Sequence, residues 1–462
     1  MSEHLAKQRS TLVIFGASGD LTHRLLLPGL GTLLRQRPHH DIHLLGAAAD
    51  DLSEQDWKQR VADALSEGGC SADRSTAIVA GTEYKRMDAT DATALHHLLT
   101  ELADPERPIV LYFALPPTIS QRACEALARI DLPPNLRLAI EKPFGHDLES
   151  AQKFNKLLTS LVPEEQVFRV DHYLGKATVL NLIGLRFSNR VFEPTWNATN
   201  IERVEIITDE QLALEGRAGY YDGAGALKDM LQSHLMLVMA MVAMEEPAAI
   251  DQLELRDLMV HALRATHLWA DDPVASSRRA RYTAGTIGER EVPSYVDEPG
   301  VDPSRNTETL AEVTLEVRNA RWTGVPFRLR SGKALGDGFR GIIVKYRPIV
   351  HPVSGFHNAP EPNVLAIGIA PETISMQITT NASGDRWDLE QTVLHSELGE
   401  SPVRPYGEIL DLILSGDPLL SVRGDMAEEC WRVLGPVLAA WHNNEVPLEE
   451  YRAGSTGPTT WR

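Results

Sequence analysis

The chain has 462 residues, about three times the ~150 of a typical domain, so two or three domains are expected. Its 45 basic and 64 acidic residues leave a formal charge of −19, which argues against non-specific binding to nucleic acid or to an anionic membrane surface. With 43% apolar and 24% charged residues the composition is that of a globular protein with a large core, which excludes disorder as its main character.

The first 145 residues alternate short aliphatic runs with helical patterns. Runs 11–15 (TLVIF), 43–47 (HLLGA), 109–114 (IVLYFA) and 136–140 (LRLAI) are predicted strands; 53–67 and 119–127 are predicted helices. That alternation predicts a doubly wound parallel sheet, whose ligands gather at the carboxyl ends of its strands. The first strand runs into Gly16-Ala17-Ser18-Gly19-Asp20-Leu21. Such a turn lets backbone amides approach a pyrophosphate at a helix N-terminus; its spacing is GxxG, not GxGxxG, so a plain tight turn is the alternative. After the second strand, Asp50 is placed either to bind the ribose 2′-hydroxyl of NAD or to cap the helix that begins near Ser53. Pro116-Pro117 follow the third strand and Glu141-Lys142-Pro143-Phe144-Gly145 the fourth. Lys142 there either holds an anion or a sugar hydroxyl, or is solvated.

Residues 169–176, RVDHYLGK, are dense in polar groups. A helix beginning about His172 would set His172 and Lys176 on one face at i, i+4 to clamp a phosphate, with Asp171 as its N-cap; two solvated side chains are the alternative. From about residue 176 the pattern changes. Predicted strands at 201–208, 310–317, 326–330, 341–346, 364–370 and 374–380 have no helices of βαβ length between them, and helices at 225–244 and 253–268 interrupt the series. This predicts an α+β domain with a mostly antiparallel sheet, and a division into 1–175 and 176–462. Residues 271–305, rich in Arg, Pro, Gly and Ser, are a predicted exposed loop.

The helix at 225–244 carries an apolar stripe of Leu227, Met230, Leu231, His234, Val238 and Met241, so it is expected to be buried nearly all round. His234 on that face is either a core histidine with one hydrogen bond or a base oriented by a carboxylate. Arg330-Ser331-Gly332-Lys333 place another cation near a turn. Cys70, Cys124 and Cys430 are far apart and form no CxxC or Cys/His cluster, which supports neither a disulfide framework nor a zinc site. The opening MSEHLAKQRSTLVIF has no long apolar run ahead of a cleavage site, and the most apolar stretch, 235–244, is too short to span a bilayer. A cytoplasmic protein is expected.

Taken together and in order, these segments resemble the glucose-6-phosphate dehydrogenase family. The stretches that carry the resemblance are GASGDL (16–21), YFALPP (112–117), EKPFG (141–145), RVDHYLGK (169–176), EGRAGYYD (215–222), KDMLQSHL (228–235), RSGK (330–333) and YRAGSTGP (451–458). The resemblance covers essentially the whole chain, and DHYLGK is its most specific part. It implies a Rossmann-like N-terminal domain and a larger α+β domain. It also implies oxidation of glucose 6-phosphate at C1, with NADP or NAD taking the hydride and no metal. By position, His234 would be the general base and Asp171 the carboxylate that orients it. His172 and Lys176, with Tyr173 beside them, would hold the phosphate. Lys142, Glu210, Asp229 and Lys333 would bind the sugar or its phosphate end. Residues Gly16, Ala17, Ser18, Gly19, Asp20 and Leu21, with Asp50, Pro116, Lys142 and Pro143, would face the cofactor, Pro143 through a cis peptide. A homodimer or homotetramer is implied as well.

The departures from the family pattern bear on specificity. Leu25 stands at a usual lysine position, and Ala49-Asp50 stand where an arginine often meets the 2′-phosphate of NADP, which makes NAD or dual use credible. Gly338 stands where a second lysine commonly follows RSGK, with Arg340 nearby, and Ala177 replaces a frequent glutamate. Two alternatives stay open: a dehydrogenase of another phosphosugar or of glucose itself, and a non-catalytic nucleotide-binding paralogue.

Overall fold

Residues 12–15 (LVIF) are apolar on both faces, as a strand covered by helices on each side must be. In the computed structural model, which describes residues 9–399 and 401–461, β1 (Arg9–Phe15) exposes only its first residue. The other strands of its sheet are β2 (Asp41–Ala48), β3 (Glu83–Arg86), β4 (Ile109–Phe113), β5 (Leu136–Glu141) and β6 (Val167–Val170). All six are parallel, in the order β3-β2-β1-β4-β5-β6. The expected doubly wound, Rossmann-like sheet is therefore present. Its strand order reverses between β1 and β4, where the carboxyl ends open a crevice.

Two compact units emerge. The first holds the described residues up to Ala177 together with Pro247–Asp257 and Ser401–Glu428; the remainder forms the second. Two contiguous ranges do not describe this division, because later segments return to the first unit. The opening stretch in which no leader is expected falls partly on residues 1–8, which lie outside the described residues.

The second unit is built on a ten-stranded mixed sheet. Its strands are β7 (Ile201–Asp209), β8 (Thr266–Leu268), β9 (Ser277–Thr283), β12 (Leu310–Val317), β13 (Pro326–Gly332), β14 (Arg340–Tyr346), β15 (Val364–Ile369), β16 (Glu372–Asn381), β17 (Leu389–Glu397) and β18 (Leu448–Arg452); β10 (Gly285–Ile287) and β11 (Arg290–Val292) form a separate hairpin. The order is β17-β16-β15-β14-β7-β13-β12-β9-β18, with β8 also on β12. Most pairs are antiparallel, as expected; β7–β13 and β9–β18 are parallel.

Three expectations are corrected here. The loop expected at 271–305 contains β9 and the β10–β11 hairpin, and Arg279 is buried, donating from Nε to the Val446 carbonyl at 3.0 Å. Its polar composition hid a strand in which Arg279 is paired within the fold. The helix expected at 253–268 ends at Arg264, and β8 follows. The apolar stretch at 235–244 is only the end of a helical run over Ala218–Ala243, 26 residues whose most apolar 18-residue window has a mean hydropathy of 1.2. By length and composition that run suffices to cross a membrane, but 83% of its most apolar window is buried in the protein, as in a core helix.

Candidate active site

In the first unit the site begins where β1 ends. Phe15 pairs with both Ala47 and Phe113, so the turn that follows lies directly against β4. Gly16 has φ +81°, and a Cβ there would overlap the Ala114 carbonyl, with its carbon 2.9 Å away. Only glycine fits this position. The N–H groups of Gly16 and Ala17 donate to Ala47 O, and that of Gly19 to Gly16 O. A pyrophosphate would therefore be held by the amides of Ser18 and of the first helical turn.

Asp50 is not the helix cap. Ser53 is, accepting the Asp56 N–H at 3.0 Å. The Asp50 carboxylate instead accepts the Ser18 hydroxyl, so it points back at the glycine turn, where a ribose would lie. Three side chains frame this corner: Arg60 donates to Ser18 O at 3.1 Å, Tyr84 to Asp50 O at 2.8 Å, and Arg86 to Ala49 O at 3.2 Å. Arg86 also pairs with Asp51 at 3.4 Å. None of the three stood out in the sequence, because they lie 10 to 37 positions from Asp50 or Ala49 along the chain. The turn and this corner fit a dinucleotide.

Glu141, Lys142 and Pro143 leave the end of β5, and the Lys142–Pro143 peptide is cis. Tyr112, next to last in β4, donates to Glu141 at 2.5 Å. Burial pushes the Glu141 carboxyl up to about 7, while hydrogen bonds from Tyr112 and Tyr406 and the charge of Lys142 oppose the shift. After β6 the chain does not enter a helix at His172, as the i, i+4 spacing suggested. It makes successive turns, with Leu174 N–H on Asp171 O, Gly175 N–H on His172 O and Lys176 N–H on Tyr173 O; the helix starts at Ala177. Asp171, fully buried, accepts the Tyr173 N–H at 3.0 Å as a turn cap. His172 and Lys176 thus share a turn and not a helix face. The Lys176 ammonium lies 3.8 Å over the Tyr173 ring, and the His172 ring stacks on Tyr406 at 5.5 Å and 17°. Tyr406 enters from the helix Pro405–Ser415, and no sequence signal connected it with His172.

In the second unit the ends of β7, β13 and β14 come together. Gly332 pairs with Asp209, and Arg340 with Thr208. Glu210, just past β7, donates its N–H to Gly332 O at 2.8 Å. Its carboxylate takes the Lys333 ammonium at 2.7 Å and Arg340 at 3.3 Å. Arg340, noted beside Gly338, therefore brings a second cation to Glu210. Asp209, beneath this group, is pushed up to about 6 by burial and held back by Arg330 at 3.0 Å. His234 is buried and lies on a helix whose turns widen to i→i+5 hydrogen bonding over Leu227–Leu235, a distortion frequent at functional positions. Lys228 and Asp229 lie in its first turn, only partly buried, and the Tyr220 hydroxyl donates to Asp229 at 3.4 Å.

No metal-ligand cluster stands out in the sequence. Among the described residues, His357, Asp385 and Asp388 do gather, with Nδ1 of His357 3.0 Å from Asp388 and 3.6 Å from Asp385. His357 and Asp385 are exposed and Asp388 is half-buried; the two aspartates lie in the turn between β16 and β17 and His357 in the loop ahead of β15.

A doubly wound dinucleotide-type unit, joined in one chain to a mixed-sheet unit with cations and carboxylates at its strand ends, defines a two-unit α/β and α+β nucleotide-binding protein. Residues 13–181 match the family model for the glucose-6-phosphate dehydrogenase NAD binding domain, and 183–462 that for the C-terminal domain. The glucose-6-phosphate 1-dehydrogenase of Treponema pallidum is 38% identical, over 97% of this chain and 92% of its own; that of Gluconobacter oxydans is 36% identical, over 96% and 94%. A glucose-6-phosphate dehydrogenase solved in complex with its substrate glucose 6-phosphate superposes with TM-score 0.88 at 28% identity, covering 100% of this chain and 97% of that one. The Mycobacterium avium glucose-6-phosphate 1-dehydrogenase structure gives 0.85 at 31%, covering 98% and 96%. The chain belongs to the glucose-6-phosphate dehydrogenase family.

Proposed function

We propose that this chain oxidises β-D-glucose 6-phosphate at C1 to 6-phosphogluconolactone, with NAD or NADP as hydride acceptor. The observation that carries this reading is the near-full-length likeness to the enzyme solved with glucose 6-phosphate. In this reading His234 removes the C1 hydroxyl proton while hydride leaves the same carbon, a task suited to a base that titrates near neutrality. Asp171 supplies the carboxylate that fixes the tautomer and stabilises the imidazolium that forms. His172, Tyr173 and Lys176 hold the phosphate, whose binding energy positions C1. Lys142, Glu210, Asp229 and Lys333 bind the sugar or its phosphate end.

The bound nicotinamide supplies the electrophilic carbon that accepts hydride. Residues 16–21, Asp50, Pro116, Lys142 and Pro143 hold the dinucleotide. The Asp50 carboxylate turned toward Ser18 favours use of NAD, because it can accept from the ribose 2′- and 3′-hydroxyls. Functionally, residues 1–175 form the dinucleotide-binding domain, which also contributes Lys142, His172 and Tyr173 to the substrate, and 176–462 the substrate-binding and oligomerisation domain, in a cytoplasmic homodimer or homotetramer that needs neither nucleic acid nor membrane. Reduction of NAD and NADP followed at 340 nm with glucose 6-phosphate, glucose and other hexose phosphates tests the reading. Turnover with glucose 6-phosphate at the highest kcat/KM is the expected result. A higher kcat/KM for another sugar would reassign the substrate, and no turnover with any would leave a non-catalytic nucleotide binder.

A further inference from the structure

The helix that bears His234 starts at a break. Gly225 has φ +67° and ψ 174° between two helical segments, so the chain re-enters the helix at Ala226 in a new direction. A helix that starts inside a protein leaves its first N–H groups without intrahelical acceptors, and something must take them. Here one residue from another part of the fold does so. Glu308, just ahead of β12, accepts the Leu227 N–H on its carboxylate at 3.0 Å and the Ala226 N–H on its carbonyl at 3.3 Å. Its carboxyl also fills the space a side chain at 225 would need: a Cβ there would lie 2.6 Å from Cδ and 2.7 Å from Oε2.

The same short segment reaches the other charged residues of this unit. Thr307 donates to Asp222 O at 2.7 Å, on the helical segment before the break. Thr309 O accepts the Lys333 N–H at 2.9 Å, and the Tyr451 hydroxyl donates to Lys333 O at 2.6 Å. Residues 307–309 therefore bind both sides of the break and the backbone of Lys333. Glu308 itself is buried, faced by Arg279 and Lys228 as cations and by the phenols of Tyr221 and Tyr295. An expensive buried carboxyl at this place needs a return.

We propose that Glu308 is a positioning residue for His234: by taking the first N–H groups of the helix at the Gly225 break, it sets the axis along which Lys228, Asp229 and His234 are presented. The inference rests on the reading of His234 as the base, seven residues after the N–H that Glu308 accepts. A misplacement of the order of 1 Å at a reacting group costs on the order of a hundredfold in rate. The position of the helix start is therefore a matter of turnover more than of affinity.

The test uses the full chain, with kcat, KM for glucose 6-phosphate and Kd for the cofactor measured for four variants. His234→Asn comes first, since normal turnover in it removes His234 from the mechanism and fails the underlying reading whatever Glu308 does. With His234→Asn impaired, Glu308→Ala is expected to lower kcat about ten- to a hundredfold, with cofactor Kd unchanged and KM altered by less than about threefold. Glu308→Gln, whose amide oxygen still accepts the Leu227 N–H, should restore kcat to within about threefold of wild type. Wild-type kcat in Glu308→Ala overturns the proposal, as does a loss that glutamine does not relieve. If Glu308→Ala does not fold by circular dichroism, Glu308→Asp takes its place. Withdrawing the carboxylate by one methylene should lower kcat where Glu308→Gln does not, and equal activity of the two overturns the proposal.

Discussion

Cofactor choice turns on Asp50 and Ala49, and its size follows from where Asp50 points. The carboxylate accepts the Ser18 hydroxyl in the glycine turn, so it would face a 2′-phosphate on the adenosine ribose, and a separation of about 5 Å sets the scale. A unit pair at that distance costs about 3 kcal/mol at an effective dielectric of 20, and about 1 kcal/mol in water. Asp50 is exposed and screening is strong, so the lower end applies: about 1–2 kcal/mol, roughly five- to thirtyfold against NADP. Asp50→Ala should therefore raise the NADP-to-NAD ratio of kcat/KM about tenfold. Adding Ala49→Arg should raise it about tenfold more by offering a planar cation to the phosphate. The assay is absorbance at 340 nm with each cofactor titrated at saturating glucose 6-phosphate. A ratio unmoved by Asp50→Ala refutes the reasoning. So does a wild-type preference for NADP above about a hundredfold, ~2.7 kcal/mol, which would show Arg60 or Arg86 already serving the 2′-phosphate.

Three further outcomes are expected. His234→Asn should lower kcat about 10²–10⁴-fold with a modest change in KM, and Asp171→Asn should also lower kcat; near-normal rates in both would discard the pair. Lys176→Ala or His172→Ala should raise KM for glucose 6-phosphate far more than for glucose, whereas equal effects on both sugars would place these residues away from the phosphate. Burial raises Glu308 to about 7, so the folded state binds more protons than the unfolded one between the ordinary carboxylate range and pH 7. This contribution is complete at low pH and is lost as pH rises through 7, by up to about 3 kcal/mol. Glu308→Gln removes that titration, so its urea midpoint relative to wild type should be higher at pH 8 than at pH 5. An equal difference at the two values would deny the shift.

The parallel sheet was legible because its buried strands are short aliphatic runs separated by helical patterns, and the glycine turn followed from its place after β1. β3, with the sequence EYKR, was not legible, since an edge strand of four polar residues carries no hydrophobic pattern. In 169–176 the residue types were right and the geometry wrong: i, i+4 spacing is satisfied by a helix and by consecutive turns alike. The choice between cap and ribose contact for Asp50 needed Ser53 in place, because both residues suit a helix N-terminus. Tyr406 on His172 and Glu308 at the Gly225 break are long-range pairings. Nothing local announces them, and Glu308 reads in sequence as an ordinary residue before a strand.

The central claim is that hydride leaves C1 of glucose 6-phosphate. Turnover of glucose 6-phosphate carrying deuterium at C1, followed by mass spectrometry of the reduced cofactor, tests it most directly. The account predicts one deuterium in the reduced nicotinamide for every lactone formed, with the rate of that transfer lowered about 10²–10⁴-fold in His234→Asn. Reduced cofactor without deuterium, or deuterium retained in the sugar product, would contradict it.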